Sequence, residues 1–140
     1  IDNYNKNEIE FEYCCRLYPT APFITSEILI SANKLIIEKK LDCVLPVTKF
    51  SFPIWRSFKI NNKTVTYIWP ENELKRSQDL EDVFHDTGQF YFFNVKNFLK
   101  ENKVIMKNNS VIEIPESQVQ DIDDIEDWKM AEIKYKLKNN

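Results

Sequence analysis

Residues 9–50 read IEFEYCCRLYPTAPFITSEILISANKLIIEKKLDCVLPVTKF, and this stretch decides the fold. Ile9 to Leu17 begins with alternating charge and turns continuously apolar, the pattern of a central buried strand. Tyr18-Pro19-Thr20-Ala21-Pro22 breaks it with two prolines. Thr25 or Ser26 is placed to cap a helix, with Glu27 in its first turn. Ile28, Leu29, Ala32, Leu35 and Ile36 then repeat along one helical face, and Lys39 and Lys40 close the helix. Asp42 to Phe50 reads as a second strand, which Pro46 assigns to an edge or a bulge. Strand, helix and strand form a crossover unit, so the fold class is α/β.

Downstream, Ile54 to Ile60 and Thr64 to Trp69 predict two short strands joined by an Asn61-Asn62-Lys63 turn. Residues 71–82 are polar and read as a surface excursion. Gly88 to Asn94 is an aromatic strand whose alternation allows one face to be core and the other a ligand wall. A short helix over Val95 to Glu101, a strand over Ser110 to Ile114 and a final helix over Asp124 to Lys138 complete the chain. Asp123 with Glu126 suggests a capping box for that last helix, and Ile125, Trp128, Ala131 and Tyr135 mark its buried face.

The chain is 140 residues long, one domain's worth, with a net charge of -3. That balance gives no basic footprint for nucleic acid. No apolar run approaches the roughly 18 residues of a membrane helix, and no signal peptide is visible. Cys14, Cys15 and Cys43 lack metal-ligand spacing, and adjacent cysteines on a strand face opposite ways. They read as reduced, buried thiols of a cytoplasmic protein. Gly88 is the single glycine, where a chain of this size carries about ten. Phosphate-cradling loops need glycine, so a P-loop and a dinucleotide fingerprint are both excluded. The chain starts at Ile1 rather than Met, which reads as a piece cut from a longer protein.

Three places could carry chemistry. Asp121 and Asp123 stand two apart, which in extended backbone puts both carboxylates on one side with Ile122 facing inward. Such a pair suits a hard divalent cation, and equally suits a solvated turn that caps a helix. Arg76 could hold a carboxylate or phosphate bidentately. His85, the only histidine, stands beside Asp86, as a general base with its partner or as a hydrogen-bonded structural residue. Arg16 to Pro22 follows a strand's carboxyl end, where open α/β sheets bind ligands.

Taken together these segments resemble the acylneuraminate cytidylyltransferase family. RLYPTAPF (16–23) resembles its strand-end motif, RSQDLEDVFHDTGQFY (76–91) its sugar-surrounding region, and IPESQVQDIDDIEDW (114–128) its aspartate segment before the last helix. The resemblance covers residues 8–137. Tyr18 and Thr87 stand where members acting on sialic acid usually carry Gln and Asn. With FPIWRSFKI and HDTGQFYF, these variants look most like the members that act on pseudaminic acid.

The resemblance implies a three-layer, Rossmann-like nucleotide-diphospho-sugar-transferase fold with a mixed sheet. It implies an inserted hairpin over residues 52–81 that reaches across a homodimer, and a missing N-terminal, glycine-rich triphosphate segment. The implied reaction joins CTP and a nine-carbon (nonulosonic) acidic sugar to give the CMP-sugar and pyrophosphate. In it Asp121 and Asp123 hold Mg2+, and Arg76, with Gln78 beside it, anchors anions. Tyr18, Thr20, Thr87, Gln89 and Tyr91 line the sugar pocket, and Arg56 or Lys59 supplies a charge that a lysine carries elsewhere in the family. The alternatives are the same reaction on sialic or legionaminic acid, or a catalytically incomplete module that only binds or assembles.

Overall fold

A computed structural model describes residues 10–138. Seven strands and three helices form a mixed α/β arrangement: β1 (Tyr13–Leu17), α1 (Ser26–Glu38), β2 (Cys43–Lys49), β3 (Phe58–Asn61), β4 (Thr64–Tyr67), β5 (Phe84–Asp86), β6 (Phe90–Asn94), α2 (Val95–Glu101), β7 (Asn109–Glu113) and α3 (Ile125–Lys138). Ile9, the first residue of the expected opening strand, lies outside the described residues.

β2 is the centre of the main sheet. One of its edges pairs with β7 in parallel, and the other with β6 and then β5, both antiparallel. β1 lies antiparallel to β6 on its far side. β1, β2 and β7 therefore point the same way, and their carboxyl ends share one rim.

Alternation divides the core. Phe90, Phe92, Val44 and Ile114 pack with Ala32 and Ile36 of α1. Tyr91, Phe93, Cys43 and Leu45 pack on the opposite face, against Met106 and Phe98 of α2. The aromatic strand thus supplies both cores, where its alternation alone allows one face to be core and the other a ligand wall.

Several expectations are corrected. β1 is the outermost strand among the described residues rather than a central one; Leu17 is half exposed because nothing described covers that side. Pro46 sits in the central strand, so of the two expected places, an edge or a bulge, it occupies the bulge. It is tolerated because the neighbouring strand breaks opposite it: Val44 faces Phe92 and Val47 faces Asp86, so six steps on one strand run against three on the other. The Pro46 carbonyl accepts from Thr87 N–H at 3.2 Å inside this bulge.

Residues 54–56 form a 3-10 turn instead of strand, and only Phe58–Asn61 pairs with Thr64–Tyr67. Cys15 is exposed, whereas Cys43 is buried beside the backbone of Met106. On α3, among the described residues, only Ala131 is buried; Ile125, Trp128 and Tyr135 are all more than half exposed, and the last two line an open groove with Thr20 and Pro22.

Thr25 caps α1, its hydroxyl accepting from Ile28 N–H at 3.4 Å. Just past the helix, Lys40 takes the left-handed conformation (φ 50°) that glycine usually supplies. Asn62, Lys63 and Asn102 do the same, so the glycine deficit is met by asparagine and lysine.

Candidate functional site

The bulge between β5 and β6 builds the most ordered polar cluster. Such insertions re-aim side chains and gather at functional sites. Gly88 turns with φ 64°, and its N–H donates to one carboxylate oxygen of Asp86 at 2.8 Å. The other Asp86 oxygen accepts the phenol proton of Tyr91. Burial, reinforced by this bond and charge, raises the Tyr91 pKa well above that of a free phenol.

Tyr18 stands edge-on to Tyr91, with centroids 5.9 Å apart. The Arg16 guanidinium lies 4.6 Å over the Tyr18 ring. The Tyr18 N–H donates to the Gln89 carbonyl at 3.0 Å and carries the β1–β6 ladder to the rim. Thr87 and Gln89 are almost fully buried, and the Thr87 hydroxyl and Gln89 Oε1 have no partner among the described residues. Buried polar atoms left unpaired are uncommon, and each calls for an account. Gln89 Nε2 donates to the Gln118 carbonyl at 2.7 Å, tying the bulge to the segment that leads into α3.

That segment carries the aspartates. Asp121 and Asp123 are exposed and Ile122 is half-buried between them, the alternation read from the sequence. One Asp121 oxygen accepts from Ile122 N–H at 3.1 Å. The Asp123 carboxylate makes no hydrogen bond among the described residues. The helix cap falls one position later than expected. Asp124 Oδ1 accepts from Glu126 N–H and Asp127 N–H, and Asp127 Oδ2 accepts back from Asp123 N–H and Asp124 N–H. Capping by Asp124 and Asp127, instead of Asp123 and Glu126, leaves the Asp121 and Asp123 carboxylates largely uncommitted. Two carboxylates suit magnesium completed by phosphate and water, though no group of three potential ligands occurs among the described residues. Beside them a groove of about 410 Å³ is lined by Thr20, Pro22, Ile122, Trp128 and Tyr135.

The excursion holds the remaining candidates. Trp55 and Trp69 pack at 5.2 Å, and Trp55 Nε1 donates to the Glu81 carbonyl at 2.9 Å. The Lys49–Asp82 ion pair closes its base. Gln78 lines a cleft of about 490 Å³ with Lys49, Phe52 and Glu81. Arg76 is engaged bidentately by Asp79 at 2.9 and 3.2 Å. Arg56 keeps a buried Nε without a partner among the described residues, and Lys59 is exposed on β3. No hydrogen bond or ion pair joins Arg76, Gln78 or Arg56 to Tyr18, Tyr91 or the Asp121–Asp123 pair among the described residues.

His85 and Asp86 do not form a dyad. On a strand they face opposite ways: His85 packs against Phe50 at 4.5 Å, and Nδ1 meets the Asp86 carbonyl rather than its carboxylate. Sequence reasoning missed the pairing of Asp86 with Tyr91, and also Gln118. The signal for the first was Asp-Thr-Gly, an aspartate two residues before a turning glycine.

No protein-family model matches the chain. Two proteins named pseudaminic acid cytidylyltransferase, from Campylobacter jejuni subsp. jejuni serotypes O:2 and O:23/36, are each 37% identical to it over 134 residues, which is 95% of this chain. By sequence, this chain is similar to proteins named pseudaminic acid cytidylyltransferase. It spans 57% of the length of those Campylobacter cytidylyltransferases. A Helicobacter pylori protein named pseudaminic acid cytidylyltransferase and UDP-2,4-diacetamido-2,4,6-trideoxy-beta-L-altropyranose hydrolase is 27% identical over 123 residues, 85% of this chain and 24% of that protein.

Proposed function

We propose that this chain supplies the sugar-binding and metal-binding part of an enzyme that transfers CMP from CTP to pseudaminic acid, releasing pyrophosphate. The observation that carries this reading is the 37% identity to cytidylyltransferases of that name across 95% of the chain. The finer fold assignment goes with it: a three-layer, Rossmann-like domain, of which the two-faced sheet is the supporting feature.

In this reading the sugar lies at the common carboxyl rim, over Tyr18, Thr87, Gln89 and Tyr91, with Thr20 at the edge of the adjoining groove. Arg76 exchanges Asp79 for an anionic group of the substrate, a change that an exposed pair allows at little cost. Asp121 and Asp123 would hold magnesium, which when bound neutralises phosphate charge and eases loss of a hydroxyl proton. The chain's own groups orient the sugar hydroxyl and the phosphates for transfer, which depends on alignment and charge more than on covalent catalysis. The reaction is assigned to the cytoplasm, where CTP is available.

The working unit is a homodimer. Phe58, Ile60, Val65 and Tyr67 share one face of the β3–β4 hairpin by register, and the first three are about half exposed or more. A two-stranded hairpin with an open apolar face is marginal alone, and a second copy covers it.

The test is pyrophosphate release from CTP by the complete gene product across a panel of pseudaminic, legionaminic and N-acetylneuraminic acids and the eight-carbon acid of lipopolysaccharide. Turnover highest with pseudaminic acid supports the reading. Release with none of them rejects it.

A further inference from the structure

The hydrogen-bond polarity of Tyr91 is fixed by its neighbour. At neutral pH a carboxylate only accepts hydrogen bonds. The Asp86 carboxylate takes the Gly88 N–H on one oxygen and the Tyr91 O–H on the other. A phenol has a single proton, and here it is spent inside the protein. The Tyr91 oxygen can offer an incoming molecule only its lone pairs. Its neighbour has the opposite character. Arg16 pairs with Tyr91 in the β1–β6 register and lies over the Tyr18 ring that Tyr91 meets edge-on. A guanidinium only donates, and Arg16 makes no ion pair among the described residues.

We propose that Asp86 is a positioning residue that makes Tyr91 an obligate acceptor, so that the rim selects a sugar acid presenting a carboxylate to Arg16 and a hydroxyl or amide N–H to Tyr91. This rests on the sugar-acid reading above and adds which residues discriminate and with what polarity. Asp86 also fixes the turn at Gly88, so one carboxylate sets both the direction of the phenol and the backbone beneath it. An asparagine at this position could donate through Nδ2 as readily as accept through Oδ1, and the phenol would lose its fixed sense.

The experiment compares Tyr91→Phe, Asp86→Asn and the double variant in the complete gene product, with thermal melts to establish folding. Tyr91→Phe, which keeps the ring, is expected to raise KM for the sugar acid about tenfold, the loss of one substrate hydrogen bond, and to leave KM for CTP unchanged. Asp86→Asn raises the sugar KM by a smaller factor, and the double variant is no worse than Tyr91→Phe. Analogues lacking one hydroxyl or amide donor at a time should include one whose affinity falls on the wild type and not on Tyr91→Phe. Additive effects of Asp86→Asn and Tyr91→Phe, or an equal rise in KM for CTP, overturn the proposal. An Asp86→Asn variant with an unmoved sugar KM overturns it too. Wild-type protein that neither turns over nor binds any sugar acid removes the function reading itself, and this inference with it.

Discussion

Gln89 reaches from the β5–β6 bulge to Gln118, donating Nε2 to its carbonyl at 2.7 Å across twenty-nine positions of sequence. This bond couples the strand that carries Tyr91 to the segment that carries Asp121 and Asp123. Gln89 is buried and Gln118 half-buried, so deleting the side chain leaves a partly shielded carbonyl without its donor. Gln89→Ala is expected to destabilise the protein by about 1–3 kcal/mol in chemical denaturation. A change within a few tenths of a kcal/mol would show that the bond does not brace the rim.

Tyr91 predicts an alkaline signature. Its pKa is raised in the folded state, mainly by burial and then by Asp86. The sign follows from the neutral form being the favoured one. The stabilisation is fully present below the unfolded phenol value of about 10, and it is lost as pH rises from there through the folded value. An ultraviolet titration should find Tyr91 among the tyrosines that resist ionisation beyond pH about 10, with one fewer such group in Tyr91→Phe. The stability of Tyr91→Phe should also fall less steeply in that range. Identical profiles for the two proteins would contradict the raised value.

Much of this was legible from residues 9–50 and from the alternation of residues 90–93. Periodicity identified α1, β2 and the two-faced aromatic strand because each is decided by its own neighbours. Other features depend on partners far along the chain. Pro46 allowed an edge or a bulge, and the bulge holds; the choice between them was hidden because it lies with a partner segment forty residues away. β1 looked central from its apolar run, yet only β6 pairs with it among the described residues. Asp86 looked like a partner for His85 because they are adjacent, while strand geometry gives its carboxylate to Tyr91. The Asp121–Asp123 alternation was readable, whereas the true cap at Asp124 needed the geometry of the helix start.

Lys40 holds φ 50° immediately after α1, and its neighbour Leu41 already closes the turn onto the Ile36 carbonyl at 3.0 Å. A side chain in this conformation costs about 1 kcal/mol or more that glycine avoids. Lys40→Gly should therefore raise the denaturation midpoint, with a gain of up to about 1 kcal/mol. A lower midpoint would mean that the lysine side chain makes a compensating contact.

The β3–β4 hairpin should govern assembly. Ile60 is 76% and Val65 59% exposed, and they face each other in register. Sedimentation velocity on the complete gene product is expected to show a dimer, and Ile60→Asp with Val65→Asp a folded monomer. A wild-type monomer, or a dimer indifferent to both changes, would move the interface elsewhere.

The most direct test is the magnesium dependence of pyrophosphate release from CTP and pseudaminic acid, measured on the complete gene product and on its Asp121→Asn and Asp123→Asn variants. The account predicts that chelation abolishes release. It also predicts that each variant, folded as judged by its melt, loses about a hundredfold or more of the rate, several kcal/mol of transition-state stabilisation. Rates close to wild type in either folded variant, or release that persists without a divalent cation, would contradict it.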